Sequence, residues 1–421
     1  MTLLLFGVFF LLLLIGVPIA FTVAIAGVTV LMAGDVSLMM IVQRMFASTN
    51  SFPLIAVPFF ILAGDLLSQG AISRLLVEFC ESLLGRIRGG LSIVSVVAGM
   101  FFAAISGSGA ATTAAVGGTL VKPLQDRGYE PASAAALIAA AGCIGVVNPP
   151  SVPMVLYSVI AAQSVVQMFS KGFVPGLMMG GILIAVALVQ AYKKHYPRGA
   201  KFTGKQILKA FVKAIPGLLM PAIILGGIFS GIFTPSEAAA VAVIYAVPVS
   251  AFLYRDLSWK KLGKILIGSA KTSSVIMIYI ACSGVVGGVL ANWKIPEAVA
   301  AGILSVSNNK YVLMFLMGIV ILIAGVFMET SSAGILLTPV FLPLVEALGI
   351  NLVHFVILFV VGISIGMITP PVAINLFVAS STTKLPIEKI SAKVIPYLIA
   401  LIAVFFLYMY IPMIFPGIFV I

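Results

Sequence analysis

Two stretches of this sequence place oxygen-bearing side chains beside helix breakers in apolar surroundings: GVVNPPSVP at 145–153 and GMITPPVAI at 366–374. Proline lacks the amide donor and restricts the residue before it. Asn148-Pro149-Pro150 and Thr369-Pro370-Pro371 should therefore unwind a helix and free carbonyls about one turn upstream. Those carbonyls, with the Asn148 amide oxygen, the Thr369 hydroxyl and neighbouring hydroxyls, make an oxygen-rich cage suited to a hard monovalent cation such as Na⁺. Upstream of each break runs a segment of small and hydroxyl residues, SGSGAATTAAVGG from Ser106 and METSSAGILLTP from Met328. Each ends in a polar turn, QDRGYEP or EALGIN, too soon for two full crossings. The spacing predicts re-entrant helical hairpins near 106–127 and 329–350, whose irregular backbone must be buried in protein or line a polar cavity. Their helix N-termini carry partial positive charge and favour an anionic substrate. One cation site per break and one substrate site between the two tips follows.

The alternatives are structural. A lone Pro-Pro is a kink, and Gly107, Gly109, Gly117 and Gly118 could serve close helix packing. Recurrence in both halves of the chain favours the site. Glu329 is the sharpest acidic candidate; Glu237 in TPSEAA and Asp65 in LAGDLL are weaker ones. Nothing resembles HExxH, GxSxG or a phosphate-binding loop. Cys80, Cys143 and Cys282 stand singly, and His195 and His354 have no second ligand at metal spacing. An enzyme is not expected, because no convergent nucleophile, metal or acid/base set occurs in the spans.

The elements that must position these residues are membrane spans. Of 421 residues, 62% are hydrophobic and only 9% charged, and the mean hydropathy is +1.25; no soluble domain hides that much apolar surface. Candidate spans are 2–33, 53–67, 91–105, 132–161 (interrupted), 172–192, 215–233, 238–254, 272–291, 310–328, 352–380 (interrupted) and 394–415. The first is read as a mature membrane segment rather than a cleaved signal. The segments SRLLVEFCESLLGRIRGG and RDLSWKKLGKILIGSAK suggest interfacial helices. The +12 charge reads as topology and not nucleic-acid binding: Lys193, Lys194, Arg198, Lys201, Lys205, Lys209 and Lys213 mark one connection as cytoplasmic.

The chain also repeats. Pro149 and Pro150 recur 221 residues on as Pro370 and Pro371, and at that offset Asp35 meets Asp256, Gly128 meets Gly349, Gly145 meets Gly366, Ser170 meets Ser391 and Pro175 meets Pro396. The expected fold is an all-α polytopic membrane protein of two repeats, 1–200 and 215–421, joined by a basic cytoplasmic connection at 201–214. Five crossings in the first repeat would invert the second, as in many secondary transporters. One conflict stands: 215–254 reads as two spans where its counterpart before Asp35 reads as one.

With SGSGAAT, NPPS, TPPVAIN and the early GVPIAF on the page, the chain resembles the large membrane subunit of tripartite ATP-independent periplasmic (TRAP) transporters, the DctM-like subunit, over its whole length; related ion-transporter families share the plan. The resemblance implies sodium-driven symport of an organic acid anion, such as a C4-dicarboxylate or sialic acid, by an elevator movement in the bacterial inner membrane. It further implies a small four-helix membrane subunit and a periplasmic solute-binding protein as partners. Carried over by position, Ser106, Ser108, Gly145 and Asn148 belong to a first sodium site and Glu329, Thr330, Gly366 and Thr369 to a second. Substrate then lies near Ser108, Thr112, Ser331, Ser332 and Asn375. The repeats differ, Asn148 against Thr369 and Ser108-Gly109 against Glu329-Thr330. A stand-alone sodium/dicarboxylate carrier of the same fold, or a passive channel, are the competing readings.

Overall fold

A computed structural model describes residues 1–68, 71–295 and 309–415. Among these the named elements are all helices, besides one isolated antiparallel bridge, with seven helices long and apolar enough to cross a membrane, or eight if one bent pair counts as a span.

Helices α1 (Thr2–Leu14) and α2 (Ile19–Ala33) pack on each other across a turn at Gly16, whose φ is 87°. The expected single span at 2–33 is therefore two helices. Gly16 takes the left-handed backbone that ends α1, the Val17 amide closes back on the Leu12 carbonyl, and Pro18 opens the next helix. Uninterrupted apolarity concealed the turn. The correction also removes the conflict between the two halves, since the counterpart region holds α11 (Gly204–Phe229) and α12 (Pro235–Pro248). Residues 204–214, read as connection, are the first turns of α11, started by a capping box between Thr203 and Gln206.

Helix α3 (Met39–Thr49) and α4 (Ala56–Ser68, entered by a 3₁₀ turn) meet at 65°. Their counterpart, α13 (Trp259–Asn292), is one helix of 34 residues, about 51 Å long. The lysine-bearing segment expected to lie in the interface thus runs straight on into a span. The other expected interfacial segment forms α5 (Ala71–Leu84), whose apolar stripe of Ile72, Leu76 and Cys80 is buried in protein against α11 and its neighbours rather than facing lipid.

The site-bearing elements follow in pairs. In the first half these are α6 (Gly90–Ser106), α7 (Gly109–Asp126), α8 (Pro131–Gly142), the Pro149-Pro150 break, α9 (Val152–Ile160) and α10 (Val165–Lys193). In the second they are α14 (Lys310–Phe327), α15 (Thr330–Ala347), α16 (Leu352–Gly366), the Pro370-Pro371 break, α17 (Ile374–Thr383) and α18 (Ile387–Ile414). The 221-residue offset carries α7 onto α15 end for end and the others within three residues at each end. Both Pro-Pro bonds are cis.

The small-residue tip lies between α6 and α7, so residues 106–127 supply only the tip and second arm of the first hairpin; the presumed span at 91–105 is its first arm. Gly107 makes the reversal at φ 59°. In the second half Met328 and Glu329 occupy the same place between α14 and α15.

The halves interlock reciprocally. Helix α9 packs on α15 of the other half, and its counterpart α17 packs on α7 and α8. The alanine-rich α8, PASAAALIAAAG, is buried from Ala132 to Gly142, since only small side chains let so many helices approach it.

At the loop end of α7 and α8, Glu130 receives Lys194 Nζ and Lys393 Nζ, each at 2.8 Å. Hydrogen bonds from Lys194, then Lys393, pull its carboxyl down to about 2 from the ordinary 4.5. A depressed carboxylate contributes stability above its unfolded value and loses it as pH falls toward the folded one. The stability difference between the parent and Glu130→Gln should shrink between pH 5 and about 2; thermal unfolding at a series of pH values checks this, and a constant difference refutes it.

Candidate functional site

Each tip is built as a helix N-terminus with its own acceptor. Ser108 is extended and its hydroxyl accepts from the Ala111 amide at 3.4 Å. Glu329, at the equivalent position, accepts from the Ser331 and Ser332 amides at 2.9 and 3.3 Å, and the Ser331 hydroxyl donates to it at 3.2 Å. The cap is neutral in one half and ionisable in the other, which is the difference between the repeats that the sequence displays.

The two tips meet. Residues Ser106 to Ala111 and Glu329 to Ser331 line one cavity of about 240 Å³, with Val146 and Met367 from the break regions. Met367 bridges the two tips: the Thr330 hydroxyl donates to its sulfur at 3.7 Å, and that sulfur lies 3.0 Å from where a Gly109 Cβ would stand. The far wall belongs to other helices, Ile61 and Asp65 on α4 and Thr272 and Ile276 on α13.

Around the first tip the predicted oxygens gather. Ser106 Oγ lies 3.0 Å from Thr112 Oγ1 and 3.2 Å from the Ser108 carbonyl. A Cβ on Gly145 would fall 2.6 Å from that carbonyl and 2.7 Å from Thr112 Oγ1, so glycine is needed for the broken segment to approach the tip. Asn148 Nδ2 donates to the Met100 carbonyl at 3.0 Å, and its Oδ1 lies 3.0 Å from the Cβ position of Gly176 on α10. Pro149 and Pro150 are buried, Pro149 against Gly172 of α10 and the Pro150 carbonyl beside Gly107 at the tip.

The second break is more open, with Pro370 and Pro371 exposed. Thr369 Oγ1 donates to the Ile365 carbonyl at 2.9 Å. Of the carbonyls whose i+4 partner is a proline, Val146 is taken by the Ser151 hydroxyl at 2.5 Å and Met367 by the Asn375 amide at 2.9 Å. The Gly366 carbonyl accepts from the Thr369 amide at 3.0 Å. Gly366 itself lies against the backbone of Gly325 on α14.

Thr112, Ser332 and Asn375, expected near substrate, are buried and stand behind the cavity wall rather than in it. Asn375 Nδ2 crosses to the Ala139 carbonyl at 3.2 Å, and its Oδ1 is buried without a hydrogen-bond partner among the described residues. Tyr157 of α9 donates to the Thr330 carbonyl, tying the first half to the second tip.

Asp65 is the residue that sequence reasoning underrated. It faces the cavity and accepts from Ser269 of α13 at 2.6 Å; an acidic residue inside an apolar helix was the available signal. Glu237 has a structural place instead, closing the capping box that starts α12. Among the described residues no cluster of three His, Cys, Asp or Glu could hold a metal, and no Lys, Arg or His lines the cavity. What the site offers is neutral oxygens, two helix N-termini and two carboxylates.

Comparison with known proteins agrees with this architecture. The family described as "Tripartite ATP-independent periplasmic transporter, DctM component" matches residues 6–414. The C4-dicarboxylate TRAP transporter large permease protein DctM of Pseudomonas aeruginosa is 39% identical over 91% of this chain and 90% of its own length. The isethionate TRAP transporter permease protein DctMQ of Oleidesulfovibrio alaskensis is 38% identical over 97% of this chain, which spans 65% of that protein. Among solved structures, the Alcanivorax borkumensis YdaH transporter matches with a TM-score of 0.63 at 15% identity, covering 90% of this chain and 88% of that one, a likeness of fold.

Proposed function

This chain belongs to the tripartite ATP-independent periplasmic transporters as a DctM component, and on that premise we propose that it is the large subunit of a sodium-coupled symporter for an organic acid anion in the bacterial inner membrane. The observation that carries the reading is the convergence of both hairpin tips on one cavity. Two helix N-termini point partial positive charge at an anion there. Two carboxylates facing the same cavity, Glu329 at the tip and Asp65 on the far wall, with no basic side chain, would repel that anion unless a cation enters with it.

The sodium sites we propose remain Ser106, Ser108, Gly145 and Asn148 in the first half and Glu329, Thr330, Gly366 and Thr369 in the second. The orphan Asn375 Oδ1 supports a ligand beside the first, because a buried acceptor without a donor is costly. Substrate lies between the tips, against Ser108 and Ser331, with Thr112, Ser332 and Asn375 supporting them from behind.

The interlocked inner helices, carrying both tips, would move as one body against α4 and α13 in an elevator movement, with the second repeat inverted relative to the first. A small four-helix membrane subunit and a periplasmic solute-binding protein complete the transporter. The names of the P. aeruginosa and O. alaskensis relatives, a C4-dicarboxylate and an isethionate permease, support a small organic anion as cargo.

Proteoliposomes holding this chain, its small subunit and its binding protein test the proposal with a panel of radiolabelled organic acids. Uptake should require both an inward Na⁺ gradient and the binding protein; uptake without the binding protein would identify a stand-alone carrier. Asn148→Ala and Thr369→Ala should each raise the sodium concentration for half-maximal uptake. If neither did so while Glu329→Gln abolished uptake, the oxygen-cage assignment would be wrong.

A further inference from the structure

We propose that the junction between α5 and the end of α10 is a binding site for the phosphate headgroup of an anionic phospholipid. The loop after α5 and the segment after α10 are pinned together by the Gly199 amide on the Gly85 carbonyl at 3.0 Å, and Arg88 pairs with Arg198 across an antiparallel bridge. Like charges directly opposite on paired strands repel, yet this pairing is fixed further. Arg88 Nε donates to the Tyr196 carbonyl at 3.2 Å, and its guanidinium sits 5.9 Å over the Tyr192 ring.

Arg86, Lys193 and Lys201 join the pair from the same two segments. None of these five cations has an acidic partner among the described residues. The acids at this end are engaged elsewhere, Glu81 with Arg127 at 2.5 Å and Glu130 with Lys194 and Lys393, while Asp126 pairs with none of the five. A phosphate bridging Arg88 and Arg198 converts the repulsion into charge-assisted hydrogen bonds, for which guanidinium groups are suited.

The apolar side chains beside them decide between a lipid and free phosphate. Leu83 and Ile87 on one segment and Val189 and Tyr192 on the other are exposed next to the cations. Exposed apolar side chains in the same segments as the cations match a headgroup with its acyl chains, and a soluble anion has no use for them.

The site also touches the hairpin. Tyr196 stacks on Tyr129 with ring centroids 3.8 Å apart, and Arg127 and Glu130 belong to the turn that joins α7 to α8. A lipid bound here braces the loop end of α7, the helix whose N-terminus begins at the first tip.

The test is the thermal stability of the full chain in phosphatidylcholine nanodiscs, with phosphatidylglycerol or inorganic phosphate added in separate arms. Phosphatidylglycerol should raise Tm by about 3 °C or more, high salt should weaken the shift, and inorganic phosphate should not reproduce it. Arg86→Gln with Arg198→Gln should abolish the shift while leaving Tm in phosphatidylcholine near that of the parent, because Arg88 keeps its Tyr196 bond. If the double variant does not fold, the lysine version of the same two changes must retain the lipid response. An equal phosphatidylglycerol shift in parent and Gln variant, a full shift from inorganic phosphate, or a shift given only by an added small subunit would each overturn the assignment.

Discussion

Exchanging Glu329 for alanine should lower uptake by at least about 100-fold. Its carboxylate holds two backbone amides and a hydroxyl at the start of α15, and bonds to a charged acceptor contribute about 1.5–3 kcal/mol each. Loss of the two amide bonds alone costs about 3 kcal/mol, which is about two powers of ten in an equilibrium or rate. The loss falls on function more than on folding because Glu329 is open to the cavity in which the ligands are proposed to bind. Glu329→Asp, which retains charge on a shorter arm, should recover part of the uptake. Equal activity in the alanine variant and the parent, measured at matched amounts of folded protein, would show that the second tip needs no charge.

The second large effect is on folding. A methyl group on Gly366 would stand 2.0 Å from the Gly325 carbonyl carbon and 2.1 Å from its oxygen. Both are backbone atoms within a helix, so no rotamer change relieves the clash; α14 and α16 must separate. Overpacking of this kind costs about 3 kcal/mol or more when the backbone must move. Gly366→Ala should therefore lower Tm in detergent well beyond Gly118→Ala, whose Cβ position meets nothing within 4 Å. Matching melting curves for the two would refute the close approach.

These two residues also mark what could be read from the residues alone. Glu329 stood out because a carboxylate among small and hydroxyl residues after an apolar run is costly without a use. Gly366 stood out through its repeat partner Gly145. The order of the hairpin arms was not legible. A first arm of 17 residues, Gly90–Ser106, has the apolar length of a crossing, and only the positive φ of Gly107 reveals that the chain turns back. The division of 2–33 was hidden for the same reason, since Gly16 and Pro18 act through backbone geometry that hydropathy does not register. Asp65 has no acidic counterpart in the second half, where Val286 occupies its place, so a search for repeated motifs passes over it. The bond from the Asn148 amide nitrogen to the Met100 carbonyl was not legible either, since it is a contact between helices that no local spacing encodes.

The exchange of α9 and α17 between the halves bears on how such a chain arose. Tyr157 needs the Thr330 carbonyl of the other half, and Asn375 needs the Ala139 carbonyl. A solitary half would leave α9 or α17 without the surface it folds against. The smallest ancestor able to satisfy both contacts is therefore a pair of identical single-repeat chains, each lending a helix to its twin. Joining the two genes would have made that borrowing permanent, and only afterwards could Ser108 and Glu329 diverge into unlike helix caps within one molecule.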